Sequence, residues 1–351
     1  MQIHNLATCL PTRRADRLLK RIGVTLLLIV LSSLLLLSCH DGVGTKPRLR
    51  QIKIQHNWLK DIALAGIYCA TENGYYRDVG LEVEVWPGGA SVDPVVPVVS
   101  GSAMIGIHTN ATSVLLAKSR GIPIKVIATQ YKKSPLGFVA KASSGIHDLQ
   151  SLKGRRIGVI PSSVSAVELV LKINGFRRDY VEQVVVNSAA GMSLLINDKV
   201  DAIVGFGTNQ PVQLELAGIK SVFLSFDDLG YHQEAYPYFV ADKSVEHDIE
   251  TLRSFITATQ RGWEYALANP EAAARISADR YTEGMDLNKE TEVARRQAPL
   301  MQSEVTLQHG ILYMDRTTWT TTNDLLMSSG LLESKVNLDD LLTWQMFSPA
   351  P

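Results

Sequence analysis

The residues of chemical interest in this 351-residue chain stand just after short apolar runs. They are Asn57-Trp58, Gly88-Gly89-Ala90-Ser91, His108-Thr109-Asn110, Gln130-Tyr131, Pro161-Ser162-Ser163, Asn187-Ser188 and Gly207-Thr208-Asn209-Gln210. Every set is neutral and rich in hydrogen-bond donors and acceptors. That chemistry holds a polar, uncharged small molecule; it does not make or break bonds. Several sets precede a helical stretch, where exposed N–H groups await an acceptor. Ser, Thr and Asn are also ordinary helix caps. The claim of a site therefore rests on several sets meeting at one place.

Aromatic side chains add a second kind of contact. Trp58, Tyr68, Tyr75, Tyr76 and Trp86 fall within thirty residues. A ring stacked on such a side chain gains about 0.5–1.5 kcal/mol beyond its burial. Trp58 directly follows a strand end and is the best placed to meet a ligand. Tyr75 and Tyr76 precede Arg77-Asp78 and read as packing residues. The expected ligand-binding set is Asn57, Trp58, Tyr68, Ser91, Asn110, Gln130, Ser162, Ser163, Asn187 and Asn209. Catalytic signals are weak. The chain has no Gly-x-Ser-x-Gly, Cys-x-x-Cys, His-Glu-x-x-His or Walker sequence. Gly205-Phe206-Gly207 lacks the third glycine of a dinucleotide loop, so no cofactor is expected. The histidines are scattered, which argues against a metal site. An enzyme would need a positioned acid or base, and only His56 and His108 stand at strand ends.

The elements that must place these residues alternate. Strand-like runs cover Gln51–Gln55, Leu81–Trp86, Met104–Ile107 and Ile124–Thr129, with helical runs at Leu64–Asn73 and Thr112–Arg120. A second unit with the same rhythm begins near Gly137. Its strands are Ile157–Ile160, Gln183–Val186, Asp201–Phe206 and Ser221–Phe226, and its helices Ala166–Asn174, Met192–Asn197 and Pro211–Ala217. One more strand, YFVAD from Tyr238, leads into a largely helical tail with helices at Glu250–Ala268, Pro270–Arg280 and Leu287–Pro299. Strands alternating with ten-residue helices predict an α/β fold with mostly parallel sheets covered on both faces. Two such units give two lobes, residues 50–136 with 238–351 and residues 137–237. The chain crosses between them twice, and the cleft lies beyond the strand ends.

The chain's start carries a different signal. Residues 22–37 form a sixteen-residue apolar run, shorter than the roughly 20 residues a spanning helix needs. Arg13, Arg14, Arg17, Lys20 and Arg21 precede it, and Ser38-Cys39 follows it. A basic start, an apolar centre and a small residue at the cut make a secretory signal over residues 1–38. Cys39 behind it makes that a lipoprotein signal, with the lipidated Cys39 as mature N-terminus. An uncleaved anchor helix is the alternative, and both readings put residues 40–351 outside the cytoplasm, on the cell membrane. Residues 39–49, with two glycines and a proline, read as a tether. Formal charge is zero over the whole chain, and about −4 once residues 1–38 are removed. No basic stripe recurs, so nucleic acid is not an expected partner. Cys69 has no partner cysteine left in the mature chain and reads as a small core residue.

A family resemblance follows from residues already named and their neighbours. Asn57-Trp58, Ala65-Gly66-Ile67-Tyr68, Asn73-Gly74-Tyr75-Tyr76, Val79–Val83, Pro87-Gly88-Gly89 and Ser100-Gly101-Ser102-Ala103 come in one order. With Gly121-Ile122-Pro123, Leu152–Val159, Val200-Asp201-Ala202 and Thr208-Asn209-Gln210-Pro211 they resemble ABC-importer solute-binding proteins. The superfamily is the one that handles thiamine-pyrimidine precursors, riboflavin, alkanesulfonates and nitrate. The resemblance implies a two-lobe periplasmic-binding-protein-like fold (type II) that closes on its ligand. It also implies a permease and its ATPase as partners. The Pro87-Gly88-Gly89 and Thr208–Pro211 stretches look most like the riboflavin-binding branch, so a heteroaromatic vitamin is the expected ligand. Gln130–Pro135 departs from the thiamine-pyrimidine branch. The fungal pyrimidine synthases share the fold but use a cysteine cluster, which Cys69 alone does not provide. A thiamine pyrimidine, an alkanesulfonate, or a pyrimidine-modifying activity remain alternatives.

Overall fold

Residues 49–89, 92–187, 190–281 and 284–347 are described by a computed structural model. Cys39, the signal before it, the tether after it up to residue 48, and Ser91 lie outside the described residues. The chain enters on β1 (Arg50–His56), where Ile52 and Ile54 are buried while Gln51 and Lys53 face out. A single 3-10 turn, Ile62–Leu64, leads into α1 (Ala65–Glu72), and α2 (Tyr75–Asp78) follows. Gly74 between them adopts φ 78°, a conformation glycine takes without steric cost. Then come β2 (Leu81–Trp86), α3 (Val95–Ser100), β3 (Ile105–Ile107), α4 (Ala111–Ser119) and β4 (Ile124–Tyr131).

The chain then crosses to a second sheet. Its elements are β5 (Leu136–Lys141), β6 (Arg156–Val159), α5 (Val164–Ile173), β7 (Glu182–Val185), α6 (Gly191–Ile196), β8 (Ala202–Phe206), α7 (Gln210–Leu216) and β9 (Ser221–Ser225). It returns to the first sheet on β10 (Ala235–Ala241). The tail is helical: α8 (Asp242–His247), α9 (Ile249–Ala268), α10 (Pro270–Arg280), α11 (Leu287–Met301), α12 (Glu304–His309), α13 (Arg316–Ser328) and α14 (Leu338–Leu341).

Each sheet has five strands, in the orders β2-β1-β3-β10-β4 and β7-β6-β8-β5-β9. Both are mixed, which corrects the expectation of mostly parallel sheets. β1 pairs parallel with β2 and β3, and β6 parallel with β7 and β8. β10 runs antiparallel to β3 and β4, and β5 antiparallel to β8 and β9. The reason is the double crossing. β4 reaches the cleft at its carboxyl end, so β5, only four residues on, starts at the cleft and runs away from it. β10 enters the first sheet from the same side on the return.

The tail helices complete the core. α9 lies so close to α1 that a Cβ on Gly262 would come within 2.0 Å of the Gly66 carbonyl oxygen. Phe255, Ile256 and Trp263 of α9 join Ile52, Ile54 and Ile67 in one buried cluster. Trp319 and Leu326 of α13 join a second cluster with Val114 of α4 and Val170 of α5. Tyr76 is buried, stacks on Phe255 at 5.6 Å and bonds Thr259 Oγ1 at 2.8 Å, a packing role as expected. Cys69 is fully buried, and burial pushes its thiol up to about 12.

Candidate ligand-binding cleft

The strand-end sets of both sheets line one cleft. From the first sheet come Asn57, Trp58, Thr109 and Asn110; from the second come Ser162, Ser163, Asn187, Phe206, Asn209 and Gln210. Seven expected residues therefore meet there: Asn57, Trp58, Asn110, Ser162, Ser163, Asn187 and Asn209. Several are caps as well as wall. Asn110 Oδ1 accepts from Ser113 N at 2.8 Å at the head of α4. Asn187 Oδ1 accepts from Ala190 N at 2.8 Å. Asn110 is thus both helix cap and cleft wall, because α4 begins where β3 ends.

The Asn57-Trp58 step is fixed from behind. Gly88 N donates to Trp58 O at 2.7 Å and Gly89 N to Asn57 O at 3.2 Å. A Cβ on Gly88 would lie 2.3 Å from the His56 carbonyl oxygen, so only glycine permits this approach. Asn57 Nδ2 donates to Thr109 Oγ1 at 3.2 Å, tying the ends of β1 and β3 together. The Trp58 ring makes no ring–ring contact among the described residues and stands half-buried in the wall. Phe206 stands in the wall supplied by the second sheet.

Tyr68 and Gln130 are corrected. Neither lines the cleft, and both are fully buried beneath it. Tyr68 stacks on Tyr281 at 4.0 Å, with ring planes 8° apart. It lies in the middle of α1, on the face turned to the core. Gln130 Nε2 donates to Ala63 O at 2.9 Å, and Gln130 Oε1 accepts from the Tyr238 hydroxyl at 3.4 Å. Its amide ties β4 to the 3-10 turn behind Asp61.

Sequence reasoning missed Asp61, Gln233 and Tyr231, all of which line the cleft. Asp61 caps the 3-10 turn, Oδ1 accepting from Ala63 N at 2.9 Å. Burial pushes its carboxyl up to about 7; Glu290 adds to the rise, while the Ala63 amide and Lys289 oppose it. Gln233 lies on the return crossing. Its Oε1 accepts from Thr112 Oγ1 at 3.3 Å, and Thr112 Oγ1 also bonds the Tyr231 hydroxyl at 2.6 Å. The missed signal is an Asp three residues past Trp58 and a polar run, His232-Gln233-Glu234, between two strands.

His56 and His108 do not line the cleft. Burial holds both near 4, so both are neutral at physiological pH. Among the described residues, no group of three or more His, Cys, Asp or Glu is placed to hold a metal ion.

Two mixed sheets joined by a double crossing around one cleft define a periplasmic-binding-protein type of fold. The periplasmic aliphatic sulphonate-binding protein SsuA from Escherichia coli has this architecture. It superposes with a TM-score of 0.67 at 16% identity, covering 85% of this chain and 98% of its own. The chain belongs to the NMT1/THI5-like family, whose model matches residues 61–273. The riboflavin-binding protein RibY of Chloroflexus aurantiacus is 29% identical over 309 residues, 86% of this chain and 87% of its own. The 4-amino-5-hydroxymethyl-2-methylpyrimidine phosphate synthase of Legionella pneumophila is 26% identical over 227 residues, 63% of this chain and 70% of its own. The family thus holds binding proteins and synthases.

Proposed function

We propose that this protein is the extracytoplasmic solute-binding component of an ABC importer, that its ligand is riboflavin, and that it delivers the ligand to a permease and its ATPase. The observation that carries this reading is the cleft wall. Neutral hydrogen-bonding groups from both sheets, with Trp58 and Phe206 on opposite sides, suit a flat heteroaromatic ring with a polyhydroxyl chain. The similarity to RibY over most of both chains supports the same ligand. Cys69 and the two neutral histidines do not line the cleft, so none of them brings a nucleophile or base to its contents, and Asp61 is the titratable carboxyl that does stand there. The test is a melting scan with riboflavin, a thiamine pyrimidine and taurine. Riboflavin at 100 times its dissociation constant should add about 2.7 kcal/mol of stability. A shift with the pyrimidine or taurine alone would reassign the ligand, and no shift with any of the three would remove the capture role.

We further propose that the protein is held at the membrane through lipid on Cys39. Among the described residues no helix is long and apolar enough to cross a membrane. Cys39→Ala should leave a full-length precursor that takes up no labelled palmitate. Cleavage after Ser38 with label still incorporated in that variant would disprove the anchor.

A further inference from the structure

Asp61 is the one acidic or basic side chain among the described residues lining the cleft. It forms no ion pair among the described residues, and Lys289, a base that acts on it, is held by Glu290 at 3.1 Å. When ionised, the carboxylate therefore faces whatever enters without a basic partner of its own. Two further wall atoms are buried without a hydrogen-bond partner among the described residues: Asn57 Oδ1, an acceptor, and Gln233 Nε2, a donor. Buried polar atoms are normally paired, so these two unpaired atoms on wall residues are candidates for partners that a ligand would bring. The open set is thus two acceptors, one of them anionic, and one neutral donor. That set suits a ring edge that offers an N–H beside a carbonyl.

On the capture reading above, we propose that Asp61 sets the ligand class: it takes the N–H of an uncharged amide- or imide-type ring edge and disfavours rings whose edge nitrogen carries no hydrogen. The sulfonate-binding fold relative has no bearing on this choice, because its likeness concerns fold alone. Charge does bear on it. An N–H donor on a carboxylate gains a charge-assisted hydrogen bond, which a ring nitrogen without hydrogen cannot make.

The groups facing Asp61 also define a pH response. They are Glu290 and Lys289 on α11, Tyr68 on α1, Tyr131 on β4 and Tyr236 on β10. Burial raises all three phenols, so they stay neutral across the working range. Asp61 itself titrates near 7 in the free protein. An N–H donor bonds the ionised form more strongly than the protonated one, so it lowers the carboxyl's pKa in the complex. Affinity is then full above about pH 7 and falls as the pH drops below it, by up to about tenfold per unit.

The experiment is a fluorescence titration of the detergent-solubilised full chain with riboflavin and with 3-methylriboflavin, whose imide nitrogen carries a methyl group in place of the hydrogen. Wild type and Asp61→Asn are compared at pH 8, and riboflavin affinity is followed from pH 5.5 to 8.5. Asn keeps the cap on the 3-10 turn and an acceptor oxygen but removes the charge. Wild type should favour riboflavin over its N3-methyl form. Asp61→Asn should narrow that preference by about tenfold and flatten the pH profile. An unchanged preference in Asp61→Asn overturns the proposal. So does a flat profile in wild type, which needs no variant to fold. If wild type binds neither flavin, the riboflavin reading itself fails and this assignment falls with it.

Discussion

Glu234→Ala is expected to cost about 3–5 kcal/mol of stability, the range for removing one partner of a buried ion pair. Glu234 stands at the return crossing, 1% exposed, and Lys132 at the outward crossing, 7% exposed. Their side chains pair across the two strands that join the sheets. The Glu234 carboxylate also accepts from Thr129 Oγ1 at 2.6 Å, the Trp319 indole at 2.6 Å and the Asp315 amide at 3.1 Å. Lys132 Nζ donates in addition to Thr129 Oγ1 at 2.7 Å and Tyr313 O at 2.5 Å. Burial lowers the Lys132 ammonium, and the Glu234 charge works against that drop. Removing Glu234 leaves a buried ammonium and three donors without their acceptor. Urea unfolding of Glu234→Ala measures the loss, and a loss under about 1 kcal/mol would show that the pair does not hold the two crossings together. The double variant Lys132→Met/Glu234→Leu removes both charges and should recover part of the loss, because apolar replacements of a whole pair are often tolerated.

The pairing of the two crossings was not legible in the sequence. Alternation in β1 and β2 was plain, since Ile52, Ile54, Leu81 and Val85 alternate with exposed polar residues. The LEVEVW run forms a strand over the expected residues. Strand direction was not legible, because side-chain alternation is the same in parallel and antiparallel strands. The two crossings decide it, and they contain no regular element whose period could be read. Glu234 and Gln233 sit there one residue apart, yet one is locked in an ion pair and the other opens to the cleft. Depth was the other gap. Gln130 follows an apolar run much as Asn57 does, but it lies on β4 itself, where its amide is turned to Ala63. Asn57 lies past the last residue of β1. Tyr68 was drawn to the site by its ring and the nearness of Trp58 in sequence. Its place on α1 turns that ring to Tyr281 instead. Asp61 follows no apolar run at all; only the fold of the 3-10 turn brings it into the wall.

Trp58→Ala is expected to weaken riboflavin binding by about 1–3 kcal/mol, the sum of lost stacking and lost apolar contact. That is roughly a 5- to 150-fold rise in the dissociation constant. The ring is half-buried in the cleft wall and belongs to none of the buried core clusters, so its loss opens no cavity in the interior. Its backbone is held independently of the side chain, through the Gly88 amide on Trp58 O at 2.7 Å. The fold should therefore survive, and circular dichroism with a melting curve in the absence of ligand checks that. Trp58→Phe keeps a stacking face and should recover most of the affinity. A larger consequence concerns closure. Trp58 comes from the first sheet, and Phe206 and Asn209 come from the second. A flat ligand that touches both walls draws them together, because each wall adds contacts that the open form lacks. If Trp58 is one of those walls, Trp58→Ala should reduce the ligand-induced compaction seen by small-angle scattering along with the affinity. Normal binding in Trp58→Ala, or a variant that does not fold, would each remove the stacking role.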